Sequence, residues 1–249
     1  MSTIAEPTTS PATGAALLLG CGAVAGALFP VVSFTQAFTR TGFDLRRHAI
    51  SALTLGDLGW LQTANFALTG LLACAFALGV RRAARPGAAG ASALSVRRAA
   101  RPGAAGTSAL SVRRTARPGA AGASALVIGP ILIGAYGVAM VGGGVFTPDP
   151  ALGWPAGAPA GLPEHLSTGS ALHTVFGATA FMSLIVAGLV FARRFASRGW
   201  TAYSVISSLA TFVLTVPPWG EDSASLRFAA GAVLIHAWLA ALSLRLGKH

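Results

Sequence analysis

Apolar and polar positions fall along this chain in long blocks, not in the short periods of a soluble helix or strand. Six uncharged apolar runs stand out, at about 13–38, 59–80, 124–146, 170–192, 199–219 and 228–244. A helix needs roughly 20 such residues to cross a hydrocarbon core of about 30 Å. Lipid offers no partner to an unpaired backbone N–H or C=O, so runs of this kind must be helical. The pattern therefore predicts an all-α fold, an integral membrane bundle of six transmembrane helices that forms a single domain over residues 1–249.

Composition strengthens this reading: 53% of residues are apolar and 10% charged, against about 25% charged in an average soluble domain. Basic residues then orient the bundle, because short cytoplasmic loops collect Lys and Arg. Fourteen of the 18 basic residues fall in the second loop, the fourth loop and the C-terminal tail. Both termini are expected to be cytoplasmic. Arg40, Arg46, Arg47 and Arg227 then lie outside, with every acid except Glu6.

The net charge of +11 does not point to nucleic acid, since nine of the arginines sit in one tandem repeat. Its three copies, "VRRAARPGAAGASALS", "VRRAARPGAAGTSALS" and "VRRTARPGAAGASALV", begin at Val80, Val96 and Val112 with a period of 16. Ala, Gly, Ser and Pro-Gly breaks leave little apolar surface to offset ordering entropy, so the insertion at about 81–123 is expected to be a flexible linker. Its second reading is a polybasic patch against anionic lipid, where each Arg contributes about 1 kcal/mol. The expected partners are membrane lipids.

No Lys or Arg precedes Arg40, so the run "LLLGCG" lacks the charged flank of a secretory signal and 13–38 reads as a retained first helix. Cys21 and Cys74 lie within predicted spans and form neither a disulfide framework nor a metal motif.

Outside the spans, the most polar stretch is "TGFDLRRHAISALTLGDLGW", Thr41 to Trp60. On a helical projection Phe43, Ala49, Ile50 and Leu53 share one face and Asp44, His48 and Ser51 the other, which predicts an interfacial helix. "TGFD" fits a variant capping box formed by Thr41 and Asp44. An Asp, a His and a Ser on one face also fit a nucleophilic triad, but no "GxSxG" elbow surrounds Ser51.

The second outward segment, "FTPDPALGWPAGAPAGLPEHLSTGSALHTVFG", is too rich in Pro and Gly for regular structure before Leu166. It carries Asp149 between two prolines, His165 before the fourth span and His173 inside it. Eight residues of helix rise about 12 Å, so one helix cannot aim both histidines at one metal, and no zinc spacing is present. No metal and no cofactor are expected. His236 lies near the middle of the last span, where an ionisable group is a functional candidate or a hydrogen-bonded packing element. Arg227 opposes the helix macrodipole at the start of that span. It calls for an acidic partner, with Asp149, Asp44 and Asp57 the candidates.

The pieces "LRRHAISALTLGDLGWLQTANFALTG", "GGGVFTPDPALGWPAG", "HLSTGSALHTVFG" and "SLRFAAGAVLIHAW", in that order across six spans, resemble the bacterial membrane family catalogued as domain of unknown function 998. The resemblance covers about Thr13 to Leu246 apart from the repeat. It implies a place in the inner (plasma) membrane of a bacterium and significance for His48, Ser51, Gly59, Trp60, Asn65, Phe146, Asp149, His165, His173 and Arg227. Two functional classes follow. In one, the outer polar cluster of His48, Ser51, Asp149, His165, His173 and Arg227 binds a lipid headgroup, a small solute or a partner without chemistry. The other is an intramembrane metal-dependent hydrolase of ceramidase-like type, which is similar in its use of His, Asp and Ser. That type has a close His pair on a late helix, where this chain has His236 alone. The two outward segments are expected to pack together over the mouth of the bundle, bringing His48 to the 149–173 segment.

Overall fold

The computed structural model describes residues 11–84, 120–216 and 223–248, so nearly all of the Arg-rich repeat lies outside the described residues. Among the described residues there are six long helices and no strand. They are α1 (Pro11–Thr39), α2 (Gly59–Ala83), α3 (Ala120–Val145), α4 (Thr168–Phe191), α5 (Arg198–Thr215) and α6 (Ala224–Leu246). Pro30 and Pro130 lie within α1 and α3, a placement that membrane-spanning helices tolerate. Ser167 and Ser197 start α4 and α5 as N-caps, their side chains accepting from Ser170 N and Trp200 N. An N-cap of this type satisfies one of the helix's orphan donors.

Each helix packs on its neighbours in sequence, and α6 returns to α1, so the helices close into a ring. The outer surface is apolar like much of the core, and polar groups are buried among the core side chains. Leu17, Val24, Val31 and Phe38 of α1 face outward, while Ser33, Gln36, Gln62, Asn65, His173 and His236 are buried. Small residues set the closest approaches, as expected where lipid gives helices no hydrophobic reason to associate. At the α2–α3 crossing a Cβ on Gly137 would lie 2.6 Å from Gly70 O, and at the α1–α6 crossing a Cβ on Gly26 would lie 2.5 Å from His236 O. The α1–α2 seam is polar. Gln36 Nε2 donates to Gln62 Oε1 at 2.7 Å, Gln62 Nε2 to Ser33 Oγ at 2.9 Å, and Asn65 Nδ2 to Phe29 O at 3.1 Å.

Five helices are long and apolar enough to cross a membrane: all but α5. The sequence predicts a sixth span at 199–219. The helix found there has 18 residues and buries Ser204, Ser207, Ser208 and Thr211. These hydroxyls lower its hydropathy while serving its packing. Trp238 Nε1 donates to Ser204 Oγ at 3.0 Å, and Thr211 Oγ1 to Gly231 O at 3.4 Å.

The predicted interfacial helix over Thr41 to Trp60 is not formed. The segment consists of turns followed by a single 3₁₀ turn, Ile50–Thr54. Gly42 and Gly56 adopt φ of +86° and +76°, a conformation no helix contains. Asp44 does not cap a helix with Thr41. Its Oδ1 accepts from Arg46 N at 2.9 Å, the side-chain-to-backbone turn that Asp favours.

Candidate functional site

Two loops, 40–58 and 146–167, cover one end of the ring, and Trp154 joins them. This side chain is 5% exposed, stacks edge-on against Phe43 at 5.1 Å and lies near the His48 ring at 5.9 Å. Its indole N–H donates to Ala52 O at 2.9 Å. Arg40 lies over its face at 4.8 Å, a cation–π arrangement, and donates to Leu53 O at 2.5 Å and Leu55 O at 2.6 Å. Burial lowers the Arg40 pKa and the charge of Asp57 opposes that shift, so Asp57 compensates Arg40 within this cap.

His48 fastens the same two loops. Asp44 N donates to its Nδ1 at 2.9 Å, and Nε2 lies 3.1 Å from Leu152 O. A nitrogen facing a donor must be unprotonated and one facing a carbonyl must carry the hydrogen. His48 is therefore the neutral Nε2–H tautomer with both nitrogens occupied. A third tie reaches α6, where Ser225 Oγ donates to Arg47 O at 3.1 Å.

Asp149 organises the start of α4. Its Oδ2 accepts from Ser167 N at 2.9 Å and its own N–H donates to Ser170 Oγ at 3.3 Å. Hydrogen bonds from the Ser167 side chain and then its backbone hold the Asp149 carboxyl below its ordinary 3.8, with Ser170 adding to the effect and desolvation opposing it. A carboxylate with a depressed folded pKa contributes stability above the ordinary value and loses it as pH falls through the lower folded value. Acidification below the carboxylate range should therefore loosen residues 149 and 167–170. Hydrogen exchange at these amides should show that acid-dependent opening in the native chain and a much smaller one in Asp149→Asn. That amide retains an acceptor but does not titrate in this range.

Beneath the cap lies a cavity of about 50 Å³ between α1, the 3₁₀ turn, α2, α3, α4 and α6. Its walls are apolar apart from Ser51 and His173. The His173 Nδ1 lies 3.0 Å from Gly143 O and 2.8 Å from Phe146 O. Two carbonyls at one nitrogen require Nδ1–H, which leaves Nε2 as an acceptor. No described residue partners that Nε2. Deeper on the axis, His236 Nδ1 lies 2.7 Å from Ala232 O and its Nε2 lies 2.8 Å from the Tyr136 hydroxyl. The same reasoning makes Tyr136 the donor and His236 a neutral acceptor, stacked on Phe29 at 4.8 Å.

The structure thus brings His48 to the 149–173 segment through Leu152 and places Ser51 and His173 on one cavity. His165 is exposed in the loop before α4. Arg227 is half-buried in the first turn of α6, with its N–H on Ser223 O at 2.9 Å. His48, Asp149 and His173 take their hydrogen bonds largely from backbone groups and not from one another. Loop carbonyls and N–H groups need partners as much as side chains do, and they lie closer. Sequence reasoning passed over Arg40, Trp154 and Tyr136 as site elements. Each carried a signal: Arg40 is the first cation in the chain, Trp154 a large ring amid Pro, Gly and Ala, and Tyr136 one of only 2 tyrosines.

A helical ring in which five helices are long and apolar enough to cross a membrane, closed at one end by interlocked loops, defines a multi-pass membrane protein. The chain belongs to the family described as protein of unknown function (DUF998), whose sequence profile matches residues 23–100 and 102–245. No curated protein and no solved structure matches it.

Proposed function

We propose that this protein is a non-catalytic membrane receptor for a small polar group, a lipid headgroup or a small solute, taken at the capped end of the bundle. His173 carries this reading: two carbonyls fix its Nδ1–H, and its Nε2 is an acceptor on a residue that lines a largely apolar cavity. An acceptor nitrogen that no protein donor occupies is open to a ligand that donates a hydrogen bond. Ser51, at the roof of the cavity, supplies a hydroxyl as the second polar contact. At about 50 Å³ the cavity would take only the donor group of such a ligand, and the cap loops above it would contact the remainder.

In this account α5 crosses the membrane as a sixth span, both termini are cytoplasmic and the cap faces outward, following the distribution of basic residues. A cysteine introduced into the Arg-rich repeat of a chain lacking Cys21 and Cys74 should resist impermeant thiol reagents in intact cells. The hydrolase reading finds little support. Among the described residues no three His, Cys, Asp or Glu side chains are grouped to hold a metal, whereas a catalytic zinc has three protein ligands.

The test is mass spectrometry of small molecules released from the purified protein, with metal analysis of the same sample. The native chain should release a compound bearing a hydrogen-bond donor, and folded His173→Leu should release much less. Equal release from both, or stoichiometric zinc lost with His173, would overturn the proposal.

A further inference from the structure

The end of the bundle opposite the cap carries a separate feature. A groove of about 410 Å³ runs between the ends of α3, α4 and α5, within the size range of small-molecule sites. Ile128, Leu189 and Val205 form its apolar wall, and Arg193 stands at its mouth. Ile128 and Leu189 are 45% and 43% exposed, so the wall opens sideways, where the acyl chains of a bilayer would lie. Thr201 Oγ1 donates to Ala192 O at 2.8 Å, which ties the start of α5 to the end of α4 and holds Arg193 beside the groove.

Two neighbouring cations, Arg194 and Arg245, are engaged with aromatic rings, while Arg198 at the start of α5 is exposed. Arg194 lies over Phe195 at 5.4 Å, and Arg245 over Phe195 at 4.8 Å and Trp200 at 5.2 Å. Arg193 is exposed and has no hydrogen-bond or ring partner among the described residues. All four described carboxylates, Asp44, Asp57, Asp149 and Glu164, belong to the cap loops at the other end. An anion for Arg193 must therefore come from outside the described chain.

The geometry points to an anionic phospholipid as the occupant, with its phosphate on Arg193 and one acyl chain along Ile128, Leu189 and Val205. Charge complementarity selects the headgroup, and the apolar wall selects a lipid over free phosphate. The first turn of α5 begins beside the groove, and its positive end adds to the preference for an anion.

Native mass spectrometry of the full chain, titrated with phosphatidylglycerol or phosphatidylcholine, tests this. The native chain should hold phosphatidylglycerol in preference. Arg193→Gln should weaken that binding about fivefold, the effect of one cation at a lipid surface. Val205→Trp, which fills the groove without changing charge, should weaken it as well. Arg194→Gln removes the same charge from outside the groove and should keep most of the preference. Equal binding of both lipids by the native chain would overturn the site. So would equal losses in Arg193→Gln and Arg194→Gln, which would reveal a diffuse charge effect, or full binding by folded Val205→Trp. Should Val205→Trp lose its helical circular dichroism, the paired arginine variants decide alone.

Discussion

Trp154→Ala should unlock the cap. Truncating a buried Trp costs about 3–5 kcal/mol through lost burial and the cavity left behind, and here three further contacts go with it. The ring holds Phe43 at 5.1 Å, carries Arg40 on its face at 4.8 Å and donates to Ala52 O at 2.9 Å. Hydrogen exchange should rise across residues 41–58 and 147–166 while the cores of α2, α3 and α6 stay protected. Trp154→Phe retains a ring but loses the indole N–H, so its cost should fall to about 0.5–1.5 kcal/mol, the net value of one hydrogen bond. Equal exchange in the native chain and Trp154→Ala would show that the loops are held by the helix ends and not by each other.

The second large effect lies on the bundle axis. Tyr136→Phe leaves the buried Nε2 of His236 without its donor, at a cost of about 1–3 kcal/mol. His236→Leu in turn strands the Tyr136 hydroxyl and frees Ala232 O from its side-chain donor, with a loss of similar size. Residues that share one hydrogen bond are not additive. The double variant should therefore lose clearly less stability than the two single losses summed, as read from thermal denaturation in detergent. Strict additivity would mean that the 2.8 Å contact contributes nothing.

These residues also show which features the sequence makes legible. The helices of the ring were readable because a bilayer leaves apolar segments one backbone solution, and Gly59 marked the start of α2 to the residue. The cap was readable in location and not in form. The apolar pattern of Phe43, Ile50 and Leu53 fits a helix, but Gly42 and Gly56 at positive φ and the Asp44 side-chain turn break it into loops. His48 and Asp149 were identifiable as polar groups near one end. Their partners, Leu152 O and Ser167 N, belong to the backbone, which every residue carries and which leaves no mark in a sequence. The seam of Ser33, Gln36, Gln62 and Asn65 was visible in principle, since each pair is spaced i, i+3 on one helix face. A search confined to ionisable groups passes over it. Tyr136 and His236 are 100 residues apart, and only the closing of the ring brings them together.

The central claim is that His173 presents Nε2 as an acceptor to a ligand, and ¹⁵N NMR of histidine-labelled protein in bilayers measures this directly, with His173→Gln assigning the signal. His173 should appear as the Nδ1–H tautomer with a bare Nε2, and only that Nε2 should move when the released small-molecule fraction is added back. An Nε2–H tautomer at His173, or a bare Nε2 that no added fraction moves, would contradict it.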